Sequence, residues 1–351
     1  AMREMMRLPK VIRPFLVARL KVLANLAVDE HRKPQDGRVN FNSASGIIDI
    51  RLSVMPLLYG EKAEMRLLAL KEKPWTLSDL GLNSRDEKVI LNNIKKSFGM
   101  IIAAGPTGCG KTTILYTILD ILNTPKVNIM TIEDPIEYSI PGINQVQVNP
   151  KAGITFASGL RSIVRQDPDI IMVGEIRDSE TAEIAIHAAM TGHLVLTTIH
   201  TTDAAGALPR LIDLGIEPFL VSSTLNLVIA ERLTQRICLN CIESYSPSSE
   251  IKKLIKGQLA IEGVKAEIPE TLYRGKGCKV CEYKGYKGRV GIFECLDISK
   301  KINKLILEKA DSSAVKAQAI EEGMTTMLQD GLEKVETGVN TIEEVLRVIR
   351  R

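Results

Sequence analysis

A glycine-rich segment between an apolar run and a helix-like run is the part of this sequence best suited to chemistry. From residue 105 it reads G-P-T-G-C-G-K-T-T and fits the pattern G-x-x-x-x-G-K-[ST], whose backbone N–H groups form a nest for phosphate oxygens. In such a loop Lys111 reaches the β- and γ-phosphates, and the Thr112 hydroxyl binds Mg²⁺. The expected nucleotide-binding residues are Gly105, Pro106, Thr107, Gly108, Cys109, Gly110, Lys111, Thr112 and Thr113.

Two carboxylates that end apolar runs further along the chain are candidates for hydrolysis of a bound nucleotide. Glu133 follows the run 129–132, and Glu175 follows the run 170–173 and one glycine. Because ligands of open α/β sheets collect at the carboxyl ends of strands, we expect both acids to lie near the phosphates, rather than in a solvated loop. We interpret Glu133 as the general base and Glu175 as the group that orders the metal shell or water, although the residues alone do not rank the two.

Two of the four histidines bracket another apolar run, 194–199. Zinc ligation by His193 and His200 is one interpretation, but no further ligand pattern lies nearby. A structural histidine is a second interpretation. Because His200 follows the run at the end expected to face the nucleotide, we interpret it as a sensor of the γ-phosphate.

Four of the six cysteines form two C-x-x-C pairs, a pattern that suits tetrahedral zinc with four thiolate ligands. The ligands would be Cys238, Cys241, Cys278 and Cys281. The 36 residues between the pairs exceed the usual spacing, so four unrelated buried cysteines stay an alternative. Disulfides are not expected, since thiols of a cytosolic protein are usually reduced. With four thiolates bound, such a zinc would be structural and would leave no position for water.

The composition indicates an ordinary globular protein: 45% of the 351 residues are hydrophobic and 25% are charged. A net charge of +4 without a basic patch interleaved with aromatic residues does not favour nucleic-acid binding. No stretch of 18 apolar residues and no signal-peptide pattern is present, so we expect a cytosolic protein.

The elements that must position these residues follow from the same patterns. Apolar runs alternate with helix-like runs from about residue 85 to 235, as a parallel sheet flanked by helices requires. Before them, a helix-like segment and alternating strands with glycine turns precede a linker expected at 71–74. The predicted domains are a smaller α+β domain at 1–80 and an α/β domain at 81–351, the latter including a zinc module at 236–294 and C-terminal helices at 299–351.

Together the phosphate loop, the two carboxylate segments and the histidine segment resemble the Walker A, Asp box, Walker B and His box of the secretion ATPase superfamily. Its members are hexameric motors of type II secretion, type IV pili and related systems. The resemblance runs through essentially the whole chain and includes 160–169 ahead of the Walker B segment, 34–38 and 49–53 upstream, and 341–348 downstream. Departures are small: Cys109 stands where many members have serine, and Thr202 where many have asparagine.

This resemblance implies a RecA-like P-loop NTPase core that uses ATP, Mg²⁺ and Zn²⁺, preceded by a PAS-like second N-terminal domain. It also implies that Arg51 and Arg66 are arginine fingers, which neutralise charge developing on the γ-phosphate when the small domain closes. The alternative for both is a solvated strand face. Arg161, Arg165 and Arg177 are weaker candidates for phosphate sensing or subunit contacts.

The resemblance further implies a cytoplasmic homohexamer, peripherally associated with the inner membrane, that acts on a polytopic inner-membrane platform protein. Members usually carry another N-terminal domain that docks on a membrane protein, so we expect this chain to be a truncation that lacks this membrane-recruiting part. Secretion and pilus extension use the same motor, so the residues do not distinguish them. The sequence at 288–293 slightly favours pilus assembly.

Three alternatives are less favoured. Pilus-retraction members lack the four-cysteine module that this chain carries. A DNA-translocating member would be expected to show a basic surface with aromatic residues. An ATP-binding assembly protein without turnover is disfavoured because Glu133 and Glu175 are both present.

Overall fold

The computed structural model describes residues 4–43, 46–69, 75–264 and 266–349. It contains two compact units, Ala1–Pro74 and Trp75–Arg351. The linker expected at 71–74 lies outside the described residues. A short helix at Leu77–Leu80, which the sequence analysis placed in the smaller domain, belongs to the second unit.

The first unit is an antiparallel three-stranded sheet with one helix on its apolar face. Leu52 and Val54 alternate with polar residues along the middle strand and pack against Val17 and Ala24 of the helical segment. Side chains of a strand alternate between faces, so Arg51 lies on the opposite, polar face. The elements are a 3₁₀ turn at Lys10–Ile12, α1 (Arg13–Leu23), β1 (Gln35–Ser43), β2 (Gly46–Leu57) and β3 (Gly60–Ala69), with sheet order β1-β2-β3.

The second unit is built on a mostly parallel sheet, which confirms the expected α/β fold. Within the described residues the order is β12-β9-β4-β8-β7-β5-β6, and every neighbouring pair is parallel except β12 with β9. Three central strands are buried along their whole length, as expected for strands covered on both faces. The strands are β4 (Gly99–Ala104), β5 (Ile129–Glu133), β6 (Asn144–Gln147), β7 (Ile170–Val173), β8 (Leu194–Ile199), β9 (Leu225–Ile237) and β12 (Tyr286–Asp297).

Helices cover both faces of this sheet. Ile101 and Ala103 join the core formed with α3 and α4, whereas Ile102 and Ala104 join the core formed with α5, α6 and α8. None of the helices in the described part of the chain combines the length and hydrophobicity that a bilayer crossing requires. The helices are α2 (Leu77–Leu80), α3 (Ser84–Asn93), α4 (Lys111–Leu122), α5 (Phe156–Val164), α6 (Ser179–Met190), α7 (Ala207–Asp213) and α8 (Pro218–Thr224), with a 3₁₀ turn at Pro150–Ala152.

The predicted cysteine module is a small insertion beside the C-terminal helices. Its two-stranded antiparallel sheet and its helix share a separate core with the last two helices, in which Ile255 and Leu259 pack with Leu332 and Val345. The elements are β10 (Ile242–Tyr245), α9 (Ser249–Glu262), β11 (Leu272–Gly275), a 3₁₀ turn at Lys279–Cys281, and α10 (Lys300–Leu307), α11 (Ser312–Glu321), α12 (Met327–Glu336) and α13 (Ile342–Ile349).

Candidate nucleotide site and cysteine cluster

The phosphate loop connects β4 to α4 and depends on three glycines with positive φ. Gly105, Gly108 and Gly110 have φ of 147°, 78° and 117°, where a residue with a side chain is strained. A Cβ on Gly110 would lie 2.0 Å from Oε1 of Glu231, whereas a Cβ on Gly108 would meet no described atom within 4 Å. The loop is therefore packed tightly on its inner side and open at its tip, where phosphate would enter.

The loop residues divide between these two sides. Pro106, Thr107 and Gly108 are exposed, Cys109 is buried, and Gly110, Thr112 and Thr113 are half-buried. Burial raises the pKa of the Cys109 thiol, and the Glu231 charge raises it further. Cys109 is therefore a neutral packing residue.

The side chain of Lys111 lies against the backbone of its own loop. Its Nζ donates to the carbonyl oxygens of Gly105 (2.8 Å) and Pro106 (3.0 Å), and the residue is 8% exposed. Burial lowers the pKa of Lys111, and the negative charges of Glu175 and Glu231 partly offset that effect. The structure thus brings the loop lysine and Glu175 within electrostatic reach of each other.

Glu175 lies beyond the carboxyl end of β7 and is held by the side chains of Arg177 and His200. Nη2 of Arg177 lies 2.6 Å from its Oε1, and Nε2 of His200, beyond the end of β8, lies 3.3 Å from its Oε2. Partial burial alone would raise the pKa of Glu175, but the hydrogen bonds and charges of Arg177 and His200 outweigh burial and lower it. Glu175 is therefore an ionised carboxylate at the edge of the sheet where ligands of α/β proteins collect.

Glu133 occupies a different environment, because three donors enclose it. It is 2% exposed and accepts hydrogen bonds from the hydroxyls of Tyr116 and Thr131 (the latter at 2.6 Å) and from Nε2 of Gln145 at 3.1 Å. Burial and the Glu133 charge raise the pKa of Tyr116, so the phenol stays a donor. In this conformation Glu133 acts as a buried hydrogen-bond acceptor between α4, β5 and β6.

The remaining candidates of the second unit make local contacts. His193 precedes β8, and its Nδ1 lies 2.9 Å from the carbonyl oxygen of Ala188, a contact that fits the alternative of a structural histidine. Arg161 pairs with Glu180 at 2.6 Å, and Arg165 donates to the hydroxyl of Ser162. Of the three weaker arginine candidates, the structure places Arg177 beside a candidate site residue.

The first unit carries a row of three arginines across its sheet. Arg51 is directly opposite Arg38 on β1 and directly opposite Arg66 on β3. Opposed residues of antiparallel strands share a face, so the three arginines lie on the same side of the sheet. Arg51 and Arg66 were predicted from the sequence, whereas Arg38 was not, because the sequence does not reveal the register between the strands.

The four predicted zinc ligands lie together. Their sulfur atoms are all within 4.8 Å of one another, with separations of 3.9 Å for Cys238 to Cys278, 3.8 Å for Cys241 to Cys281 and 3.7 Å for Cys278 to Cys281. A tetrahedron with zinc–sulfur bonds of about 2.3 Å has sulfur–sulfur edges of about 3.8 Å. The backbone N–H groups of Cys278 and Gly285 also donate to Sγ of Cys281. The cluster therefore fits a zinc ion.

Other contributors to the site had little sequence signal. Nothing in the pattern around Gln145 or Tyr116 indicated contact with Glu133. Glu231 did give a signal, since it directly follows the mostly apolar run 225–230, and a buried carboxylate is unusual in a strand.

Comparison with known proteins places this geometry in context. Residues 1–347 match the family model described as type II/IV secretion system protein. The chain is 44% identical over 349 residues to the type II secretion system ATPase E of Vibrio cholerae, covering 99% of this chain and 68% of that protein. It is also 44% identical over 347 residues to the type IV pilus assembly ATPase PilB of Thermus thermophilus, covering 99% of this chain and 38% of that protein.

Solved structures show the same fold. The pilus retraction motor PilT with bound ADP aligns with a TM-score of 0.67 at 27% identity, over 90% of this chain and 78% of that chain. The Legionella pneumophila ATPase DotB aligns with a TM-score of 0.68 at 22% identity, over 99% of this chain and 85% of that chain, a likeness of fold alone.

Proposed function

Since the chain belongs to the type II/IV secretion system protein family and is an ATPase of that family, we propose that it hydrolyses ATP to power type IV pilus assembly or type II protein secretion. The observation that carries the proposal is the phosphate loop, with Lys111 within electrostatic reach of the ionised Glu175. The relatives named for secretion and for pilus assembly are equally similar to the chain, so both processes stay in the proposal.

In the proposed mechanism the loop backbone and Lys111 hold the phosphates. Lys111 exchanges its bonds to Gly105 and Pro106 for phosphate oxygens, which is favourable because phosphate oxygens carry more negative charge than carbonyl oxygens. Thr112 and Glu175 offer the oxygen ligands that Mg²⁺ prefers. When bound there, the ion would supply positive charge for the phosphates.

The proposal assigns Glu175 to the metal shell or attacking water and His200 to sensing the γ-phosphate. His200 contacts Glu175 directly, so a change in the surroundings of this carboxylate would affect the position of His200 at the end of β8. Glu133 acts as general base only in a conformation that releases Tyr116, Thr131 and Gln145, since these donors engage its carboxylate. The geometry therefore favours Glu175 as the carboxylate that contacts water.

The arginines and the cysteine cluster have separate proposed roles. Arg51 and Arg66 act on the γ-phosphate as charge develops during hydrolysis, and Arg38 extends the same row. The four cysteines hold a structural zinc that stabilises residues 236–294. This module favours assembly or secretion over pilus retraction.

The partners are also part of the proposal. We propose a homohexamer at the cytoplasmic face of the inner membrane that drives a polytopic platform protein. Support comes from the relatives, which are named as a type II secretion system ATPase and a type IV pilus assembly ATPase. Nucleic acid is not among the proposed partners.

The direct test is phosphate release from ATP by the purified chain, with Lys111→Ala as the matched variant. We expect turnover by the wild type and its loss in the variant, since Lys111 neutralises phosphate charge both in binding and in the transition state. Mass photometry with and without an ATP analogue measures whether hexamers form. Nucleotide binding without phosphate release, in a preparation that is hexameric, would instead support an assembly protein without turnover.

A further inference from the structure

Glu231 of β9 lies directly beneath the phosphate loop. A Cβ on Gly110 would lie 2.0 Å from its Oε1, and a Cβ on Gly105 would lie 2.7 Å from its backbone oxygen. The residue is 3% exposed. Both glycines that define the inner side of the loop therefore rest on this one acidic residue.

Few hydrogen bonds and nearby cations stabilise the charged form of the buried Glu231 carboxyl group. Its Oε2 is buried and has no hydrogen-bond partner among the described residues. The positive charges that act on it are those of Lys111, Lys334 and Arg289. Lys334 is already engaged by the carboxylate of Asp330.

The other titratable group that Glu231 influences is the thiol of Cys109 in the loop itself. The neighbouring Arg232 donates to the backbone oxygen of Thr202. Burial raises the pKa of Glu231 to about 8, against the opposing effect of Lys111. The carboxyl is thus close to the boundary between its two protonation states near neutral pH.

We propose that Glu231 is a positioning residue of the phosphate loop, and that its carboxylate takes up a proton from solvent when the phosphates of a nucleotide bind. This inference rests on the proposed nucleotide binding. Phosphate oxygens above the loop add negative charge close to the carboxyl, and they engage Lys111, whose charge otherwise compensates it. Protonated Glu231 does not repel the phosphates, and it fills the same space under the loop as the carboxylate.

Two consequences follow from linkage between proton and nucleotide. Nucleotide affinity falls as the pH rises through the pKa of the free protein's Glu231, by up to about tenfold per pH unit if one whole proton is taken up. At a fixed pH in that range, binding removes protons from the buffer. An amide at this position, which carries no charge in either state, should remove both effects and tighten binding at high pH.

The experiment is calorimetric titration of ADP, without divalent metal, at pH 8 in two buffers of different ionisation enthalpy. The variant is Glu231→Gln, which preserves the shape under Gly110. The matched control is Glu294→Gln: Glu294 is equally buried on the adjacent strand β12 but accepts its hydrogen bond from the backbone N–H of Ala204. We expect proton uptake in the wild type and in the control, and none in Glu231→Gln.

A second measurement needs no variant: the ADP dissociation constant of the wild type between pH 7 and 9. A rise of several-fold across this range supports the proposal even if Glu231→Gln folds poorly. Equal proton uptake in wild type and a folded Glu231→Gln, or a dissociation constant independent of pH, would overturn it while leaving nucleotide binding intact. If the wild type failed to bind ADP at all, both this inference and the proposed function would be wrong.

Discussion

Arg51 and Arg66 are directly opposite each other on neighbouring antiparallel strands, and Arg38 continues the row on the other side of Arg51. Opposed residues of antiparallel strands share a face, so the three arginines lie on one side of the sheet. The opposite face carries the apolar residues that pack against the helix. One face of the sheet therefore packs against the helix, and the other face carries the arginines.

From this row we predict that Arg51→Ala and Arg66→Ala lower ATP turnover much more than nucleotide affinity. A cation that acts mainly where transition-state charge develops changes kcat, and arginine fingers contribute on the order of 10³-fold in other P-loop enzymes. Arg38→Ala should lower turnover in the same direction. The measurement is steady-state phosphate release beside equilibrium binding of an ATP analogue.

Arg19→Ala is the control for the arginine row, since Arg19 is exposed on the helix of the same unit. It should leave turnover unchanged. If Arg51→Ala and Arg66→Ala turned over ATP at the wild-type rate, the prediction would be wrong, and both arginines would simply lie on a solvated strand face.

Glu175→Gln and Glu133→Gln should differ in what they disturb. Glu175→Gln should keep ATP binding and stop hydrolysis, because the amide fits the site but cannot act as a carboxylate towards metal or water. Glu133→Gln places an amide against three donors, so we expect a lower melting temperature as well as any loss of rate. Phosphate release and thermal unfolding, measured on both variants, separate the two effects. Hydrolysis at the wild-type rate by Glu175→Gln would refute its assigned role.

About one zinc per chain should be found by elemental analysis, because the sulfur separations match a tetrahedral four-thiolate site. Chelation, or Cys241→Ser, should raise hydrogen exchange in residues 236–294 while the parallel sheet stays protected, since the core that the module shares with α12 and α13 is separate from those of the sheet. Cys295→Ala, outside the cluster, should retain the metal. Metal-free protein with unchanged exchange in the module would contradict this prediction.

Stability of the second unit should fall as the pH rises from about 5 to about 8. Burial raises the pKa of three carboxyls: Asp86 to about 6, also through the nearby Asp330 charge, Glu294 to about 7 and Glu231 to about 8. A raised folded-state pKa means that the native state holds the proton more tightly. Each carboxyl's contribution to the free energy of unfolding is therefore fully present below its unfolded pKa and is lost as the pH rises through its folded pKa. For each group the free energy of unfolding falls by up to about 1.4 kcal/mol per pH unit.

The measurement is urea unfolding at pH 6, 7 and 8, followed by fluorescence of Trp75, the single tryptophan of the chain, which belongs to the second unit. Glu294→Gln should flatten the dependence, whereas Glu343→Gln, at an exposed position, should not. Stability that stays constant between pH 6 and 8 would show that these carboxyls are already ionised in the native state.

Most of the α/β core was accessible from the sequence because its signals are local. The runs before Gly105, Glu133, Gly174 and His200 are apolar and short, and each forms a buried strand. The phosphate loop was recognisable because only glycine tolerates its backbone angles. The two C-x-x-C pairs likewise carry their geometry in their spacing, and the fold brings them together as expected.

The tertiary structure decided which residues far apart in the chain come together and in what surroundings. Glu133 and Glu175 look alike in sequence, yet Glu133 is enclosed by hydrogen-bond donors of α4, β5 and β6, whereas Glu175 is held by Arg177 and His200 at the sheet edge. Arg38 joined Arg51 and Arg66 only through strand register, and Glu231 came beneath Gly110 only through the packing of β9. Residue type and spacing determine which chemistry is available, whereas burial and partners, which depend on the whole fold, determine the charge and accessibility of each group.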